Sequence, residues 1–181
     1  MKKTILFLSV SLAATTLFAQ KLTTTSATIV FDATTSKDAL PKAENKTVIA
    51  AIDTQTGTIA FEAIMKSFTF SNPTIQEHFN QEKWLNTDLY PTSSFKGKVT
   101  NLPNINFQLD GNYPAEVEGE LTLHGKTQLV KTTGTIVVEG KKVTASAEFT
   151  IKLLDFGVNE SAFTSGKVAS EPKITVIAEL N

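Results

Sequence analysis

The chain of 181 residues carries 17 lysines against 18 carboxylates, with two histidines and no cysteine, for a formal net charge of −1. That balance offers nucleic acid no basic face, and the missing cysteine excludes disulfides, thiolate catalysis and lipid attachment at an N-terminal cysteine. Arginine is absent too, so the planar fork that grips phosphate or carboxylate with two bonds is not available.

Residues 1–20 have the layout of a secretory signal peptide: Lys2 and Lys3, an apolar run over 5–17, and small residues near Ala19. Cleavage after Ala19 is expected. It divides the chain into a signal peptide (1–19) and a mature domain (20–181), sends the product to the periplasm or out of the cell, and lowers its charge to about −3. The apolar run is short for a membrane span, and no later stretch approaches the roughly 20 apolar residues that a spanning helix needs. What remains suits one domain with a sizeable core.

Ala27, Ile29 and Phe31 alternate with Thr28, Val30 and Asp32, which predicts an opening strand. Residues 34–46 read as a polar, proline-containing loop, followed by strands over 48–53 and 58–70 around a Thr56-Gly57 turn. In the second strand Ile59, Phe61, Ala63 and Met65 share a face. Phe68 and Phe70 fall on the opposite one, so a bulge near Ser67 is expected. Asn72-Pro73 stops the strand. Residues 74–85 then show the only helix-like spacing of the mature chain, capped by Asn72, with Ile75, Phe79, Trp84 and Leu85 on the buried side. Beyond Tyr90-Pro91, Phe95, Gly97 and Val99 open another alternating strand. A turn over 101–104 follows, and strands are predicted over 105–109, 113–123, 128–138, 143–153 and 174–180.

The stretch 119–130, GELTLHGKTQLV, writes a hairpin. Val117, Gly119, Leu121 and Leu123 lie on one face and Glu116, Glu118, Glu120 and Thr122 on the other, and His124-Gly125-Lys126 turns the chain. Some eight or nine short strands without βαβ alternation indicate an antiparallel barrel or sandwich, and the pattern alone leaves both open.

The hairpin, the segment EHFNQEKWLNTDLYPTSSFKG (77–97) and LLDFGV (153–158) together resemble the YceI family of lipocalin-like, polyisoprenoid-binding proteins. His78, Trp84-Leu85, Tyr90-Pro91, Phe95, Gly119, Leu121-Thr122, Gly125 and Phe156-Gly157 stand in the places of the family pattern, over roughly residues 55–180. The resemblance implies an all-β fold, an eight-stranded antiparallel lipocalin-like barrel with a short helical insertion. It also implies a polyisoprenoid, such as a quinone or prenyl carrier, or another long-chain lipid as the ligand.

Candidate chemistry is sparse. His78 and His124 lie in different elements, no serine elbow accompanies them, and no metal-ligand spacing is visible, so neither catalysis nor a metal or other cofactor is expected. His124 reads most simply as a solvated turn residue, and Glu116, Glu118 and Glu120 as a solvated exterior offset by neighbouring lysines. The informative set is apolar. Strand parity and the matched motif assign Phe61, Met65, Phe79, Trp84, Leu85, Tyr90, Phe95, Leu121, Phe149, Ile151 and Phe156 to a ligand cavity. Ala145, Ala147, Gly97 and Gly119 on inward faces are expected to leave it room. The expected function is an exported, non-catalytic carrier of a polyisoprenoid or other long-chain amphiphile. The alternatives are an envelope interaction module with a fully packed barrel and a quinone-linked redox accessory with His78 or Tyr90 near the head group. The pattern is compatible with both monomer and homodimer.

Overall fold

The computed structural model describes residues 21–181, so the expected signal peptide lies outside the described residues. Among these residues nine strands form one antiparallel sheet: β1 (Lys21–Asp32), β2 (Lys42–Asp53), β3 (Thr58–Ile64), β4 (Thr69–Phe70), β5 (Thr92–Val99), β6 (Gly111–Leu123), β7 (Lys126–Glu139), β8 (Lys142–Thr150) and β9 (Lys173–Leu180). The order β1-β2-β3-β5-β6-β7-β8-β9 returns to β1, so eight strands close into a barrel; the two-residue β4 lies beside the start of β2. Closure gives each of the eight strands a neighbour on both sides over at least part of its length and selects barrel over sandwich.

The β6–β7 hairpin shows how the sequence builds the wall. Its register runs from Leu123↔Lys126 to Gly111↔Val138, around a two-residue turn in which His124 and Gly125 have φ of 51° and 71°. Tight hairpins demand positive φ at both positions, which glycine meets without strain. The parity predicted for the strand holds: Ala115, Gly119 and Leu123 are buried while Glu116 and Glu120 are exposed. On the outer face Glu118 pairs in register with Lys98 on one side and Lys131 on the other, and reaches Lys131 Nζ at 3.1 Å.

Several expectations need correction. Strand β2 begins at Lys42, inside the stretch expected to be loop, because Ala43 and Asn45 alternate inward against β1. Asn45 is fully buried and holds an irregularity in that pairing: its Oδ1 accepts from the N–H and hydroxyl of Thr47, both at 2.9 Å, and its Nδ2 donates to the Ile64 carbonyl at 3.0 Å. At Ser67 the chain makes a 3-10 turn (Met65–Ser67) instead of a bulge, and this turn brings Phe68 and Phe70 inside. The helix α1 (Pro73–Asn80) is capped as expected, Asn72 Oδ1 accepting from the N–H of Thr74 at 2.9 Å and of Ile75 at 3.3 Å. It ends short of residue 85, however, and 81–90 continue as turns with Asn86 at φ 42°. Residues 105–109 form no strand; Ile105 is a buried loop residue packed on the core.

The connections after β1, β3, β6 and β8 gather at one end of the barrel. There Phe79 of α1 meets the rings of Phe31, Phe68 and Phe70 at centroid distances of 5.6, 5.8 and 5.0 Å. Such tilted and edge-on pairs add to area burial, so this cluster plugs the helical end. At the opposite end Ile52, Val99, Val138, Val143 and Leu180 are each no more than 3% exposed.

Candidate binding cavity

The residues between these two plugs enclose a cavity of about 150 Å³. Its lining runs the length of the barrel, from Phe79, Leu85, Leu123 and Ile151 at the helical end to Ile52, Val99 and Leu180 at the other. Among the described residues no lining side chain is charged, and the hydroxyl-bearing ones are Ser93, Thr132, Thr135 and Ser146. Ser93 is already committed, donating to the Thr122 carbonyl at 2.9 Å. Inward-facing Phe61, Phe95, Val117, Leu121 and Phe149 remain only partly buried, as expected of side chains that border a hollow rather than a close-packed core. Apolar cavities of this size stay dry and accept hydrocarbon.

Eight of the eleven side chains assigned to the cavity from sequence line it: Phe61, Met65, Phe79, Leu85, Phe95, Leu121, Phe149 and Ile151. The other three do not. Trp84 packs edge-on against Phe163 at 5.7 Å, Tyr90 stands edge-on to His124 at 4.8 Å, and Phe156 is buried in the turn Leu153–Phe156. All three sit in irregular segments, where strand parity gives no direction. Parity does reach Ile29, Val117, Val130, Ile174 and Val176, aliphatic members of the lining that an aromatic count passes over.

Gly97 and Gly119 also correct the expectation that small residues make room in the cavity. They are register partners on β5 and β6, and neither lines the cavity. The ring of Phe95 occupies the space beside them: a Cβ on Gly97 would lie 2.9 Å from Phe95 Cε1, and one on Gly119 2.6 Å from Cζ. Ala145, Ala147 and Gly134 do border the hollow.

The histidines stay apart from it. His78 is exposed on α1. His124 is held rather than solvated: its Nδ1 donates to the Phe156 carbonyl at 2.9 Å, since a carbonyl can only accept, and its ring meets Tyr90. Among the described residues no three His, Asp or Glu side chains come together as a metal site, and no helix is long and apolar enough to cross a membrane.

A family model for the YceI-like domain matches residues 9–180. The chain belongs to the YceI family. Three solved structures share its fold. A polyisoprenoid-binding domain from Saccharophagus degradans superposes with a TM-score of 0.74 at 10% identity, over 90% of this chain and 98% of its own. Burkholderia cenocepacia BcnA gives 0.71 at 18%, over 86% and 96%. The Campylobacter jejuni YCEI protein gives 0.53 at 21%, over 74% and 80%. A comparison with curated proteins found no match. At these identities the likeness concerns the fold, and the YceI barrel is kept while most of its side chains change.

Proposed function

We propose that this YceI barrel is an exported, non-catalytic carrier that takes a polyisoprenoid or other long-chain amphiphile into its interior. One observation carries the reading: a cavity of about 150 Å³ along the barrel, lined among the described residues by no charged side chain. Such a space suits a narrow hydrocarbon chain and offers nothing to a charged metabolite. At roughly 0.8 kcal/mol per methylene removed from water, the six or so carbons that a cavity of about 150 Å³ takes contribute about 5 kcal/mol before ordering costs. The polyisoprenoid-binding domain of S. degradans, which shares the fold, supports the ligand class. The signal-peptide layout of residues 1–20 supports export.

The cavity speaks against a fully packed interaction module. The redox accessory loses its basis as well, since neither His78 nor Tyr90 borders the hollow. The test is displacement. N-phenyl-1-naphthylamine should brighten when mixed with the protein and be driven out by geranylgeraniol, whereas a dark mixture at all concentrations contradicts the proposal.

A further inference from the structure

The barrel wall is incomplete between β7 and β8. Their pairing runs from Glu139↔Lys142 to Gly134↔Ala147 and ends there. Beyond that point β7 continues for eight residues paired only with β6, and Glu148 to Thr150 of β8 pair only with β9. The far end of the gap is tied by Gln128, whose Nε2 donates to the Asp155 carbonyl at 3.0 Å. From Gln128 to Gly134 the unpaired margin of β7 is roughly 20 Å long at strand rise.

The cavity reaches the surface at the upper corner of this gap. In an intact wall only alternate residues border the interior, yet Gly134 and Thr135 both line the cavity, as do Ser146 and Ala147 opposite them. The same four residues also line an outer groove completed by Thr133, Glu148, Thr175 and Ile177. Small size at the corner is structural. A Cβ on Gly134 would lie 2.4 Å from the Ser146 carbonyl oxygen, so the strands part beside two residues with almost no side chain.

We infer that this gap is a lateral mouth, through which the hydrocarbon tail enters and at which an uncharged, hydrogen-bonding head group rests. The inference builds on the carrier reading and adds the route and the head-group class. Thr133, Thr135, Ser146 and Thr175 ring the mouth with hydroxyls, and the strand margin itself exposes main-chain groups that want polar partners. The charged groups there are already engaged. Glu148 receives Lys173 at 3.3 Å and the Thr175 hydroxyl at 3.4 Å, while Lys131 on the β7 margin is held by Glu118 at 3.1 Å. Among the described residues no lysine lines the groove, and the chain has no arginine, so an alcohol, carbonyl or quinone-type head fits the mouth and a phosphate does not.

The test measures the rate of loading, using geranylgeraniol delivered from phosphatidylcholine vesicles and native mass spectrometry to count occupied protein. The double variant Thr135→Trp, Ser146→Trp, checked for its barrel fold by circular dichroism, should load at least tenfold more slowly than wild type. Loading at the wild-type rate would overturn the mouth. A second version exploits the absence of native cysteine. Thr133→Cys, Glu148→Cys bridged by a bis-methanethiosulfonate, which attaches through two disulfides, should load slowly and recover when dithiothreitol reduces them, each sample serving as its own folded control; no difference between the two states would again overturn the mouth. Geranylgeranyl phosphate should bind no more tightly than the alcohol, and a tenfold preference for it would refute the uncharged head group. A wild-type protein that takes up neither compound, even on refolding, would overturn the carrier reading and the mouth with it.

Discussion

Gly97 and Gly119 stand opposite each other on β5 and β6, so close that a Cβ built on Gly119 would lie 2.5 Å from the Gly97 Cα. The Phe95 ring lies over the pair, and a strand glycine here means close approach of an aromatic rather than empty space. Gly119→Ala forces the ring or the strand to shift. It should cost about 1–3 kcal/mol, as overpacking does, read as a lower urea midpoint at unchanged slope.

Ala147→Phe places a ring where the inward face of β8 borders the hollow. The variant should retain a barrel fold by circular dichroism and lose at least tenfold in affinity for geranylgeraniol. Unchanged affinity would show that the ligand does not occupy this part of the interior.

Asn45 is the buried polar side chain that fastens β2 to the end of β3. Asn45→Ala removes the hydrogen bonds to the Thr47 N–H and the Ile64 carbonyl, at about 1–3 kcal/mol for the two together, since both partner residues are exposed. A thermal midpoint lowered by several degrees is expected, whereas a change under one degree would mean that water replaces the amide.

Acid should weaken the rim at the helical end. Burial tends to raise the carboxyl of Asp32, but hydrogen bonds from the Thr34 hydroxyl at 2.7 Å and N–H at 3.1 Å, with Lys42 at 3.2 Å, outweigh it and hold the group below its ordinary 3.8. A carboxylate depressed in the folded state stabilises it above the unfolded pKa, and that contribution disappears as pH falls through the folded value. Wild type should therefore lose stability below about pH 3.8, and Asp32→Asn should lose less over the same range, as measured by thermal unfolding between pH 5 and pH 2.5. Parallel losses in the two proteins would contradict this assignment.

What could be read in advance follows the physics of each segment. The β6–β7 hairpin was legible because strict alternation and the His124-Gly125 turn both point to one register. Eight cavity residues were legible because the inward face of a barrel strand is also the face of the hollow. Trp84, Tyr90 and Phe156 were not, since turns carry no period from which to infer direction. The start of β2 was hidden by its composition, because Lys42, Glu44 and Lys46 alternate with only Ala43 and the polar Asn45. The β7–β8 gap leaves no trace in hydrophobic pattern at all. Val130 and Thr132 alternate as regularly where the neighbouring strand has departed as Ile136 and Val138 do where it remains.

The most direct test of the carrier account is native mass spectrometry of the protein, purified without denaturation, followed by solvent extraction of whatever it holds. The account predicts one long-chain species per barrel, released by organic solvent and identifiable as an isoprenoid or related uncharged lipid. A protein that stays at its bare mass, even after incubation with membrane lipid, would contradict it.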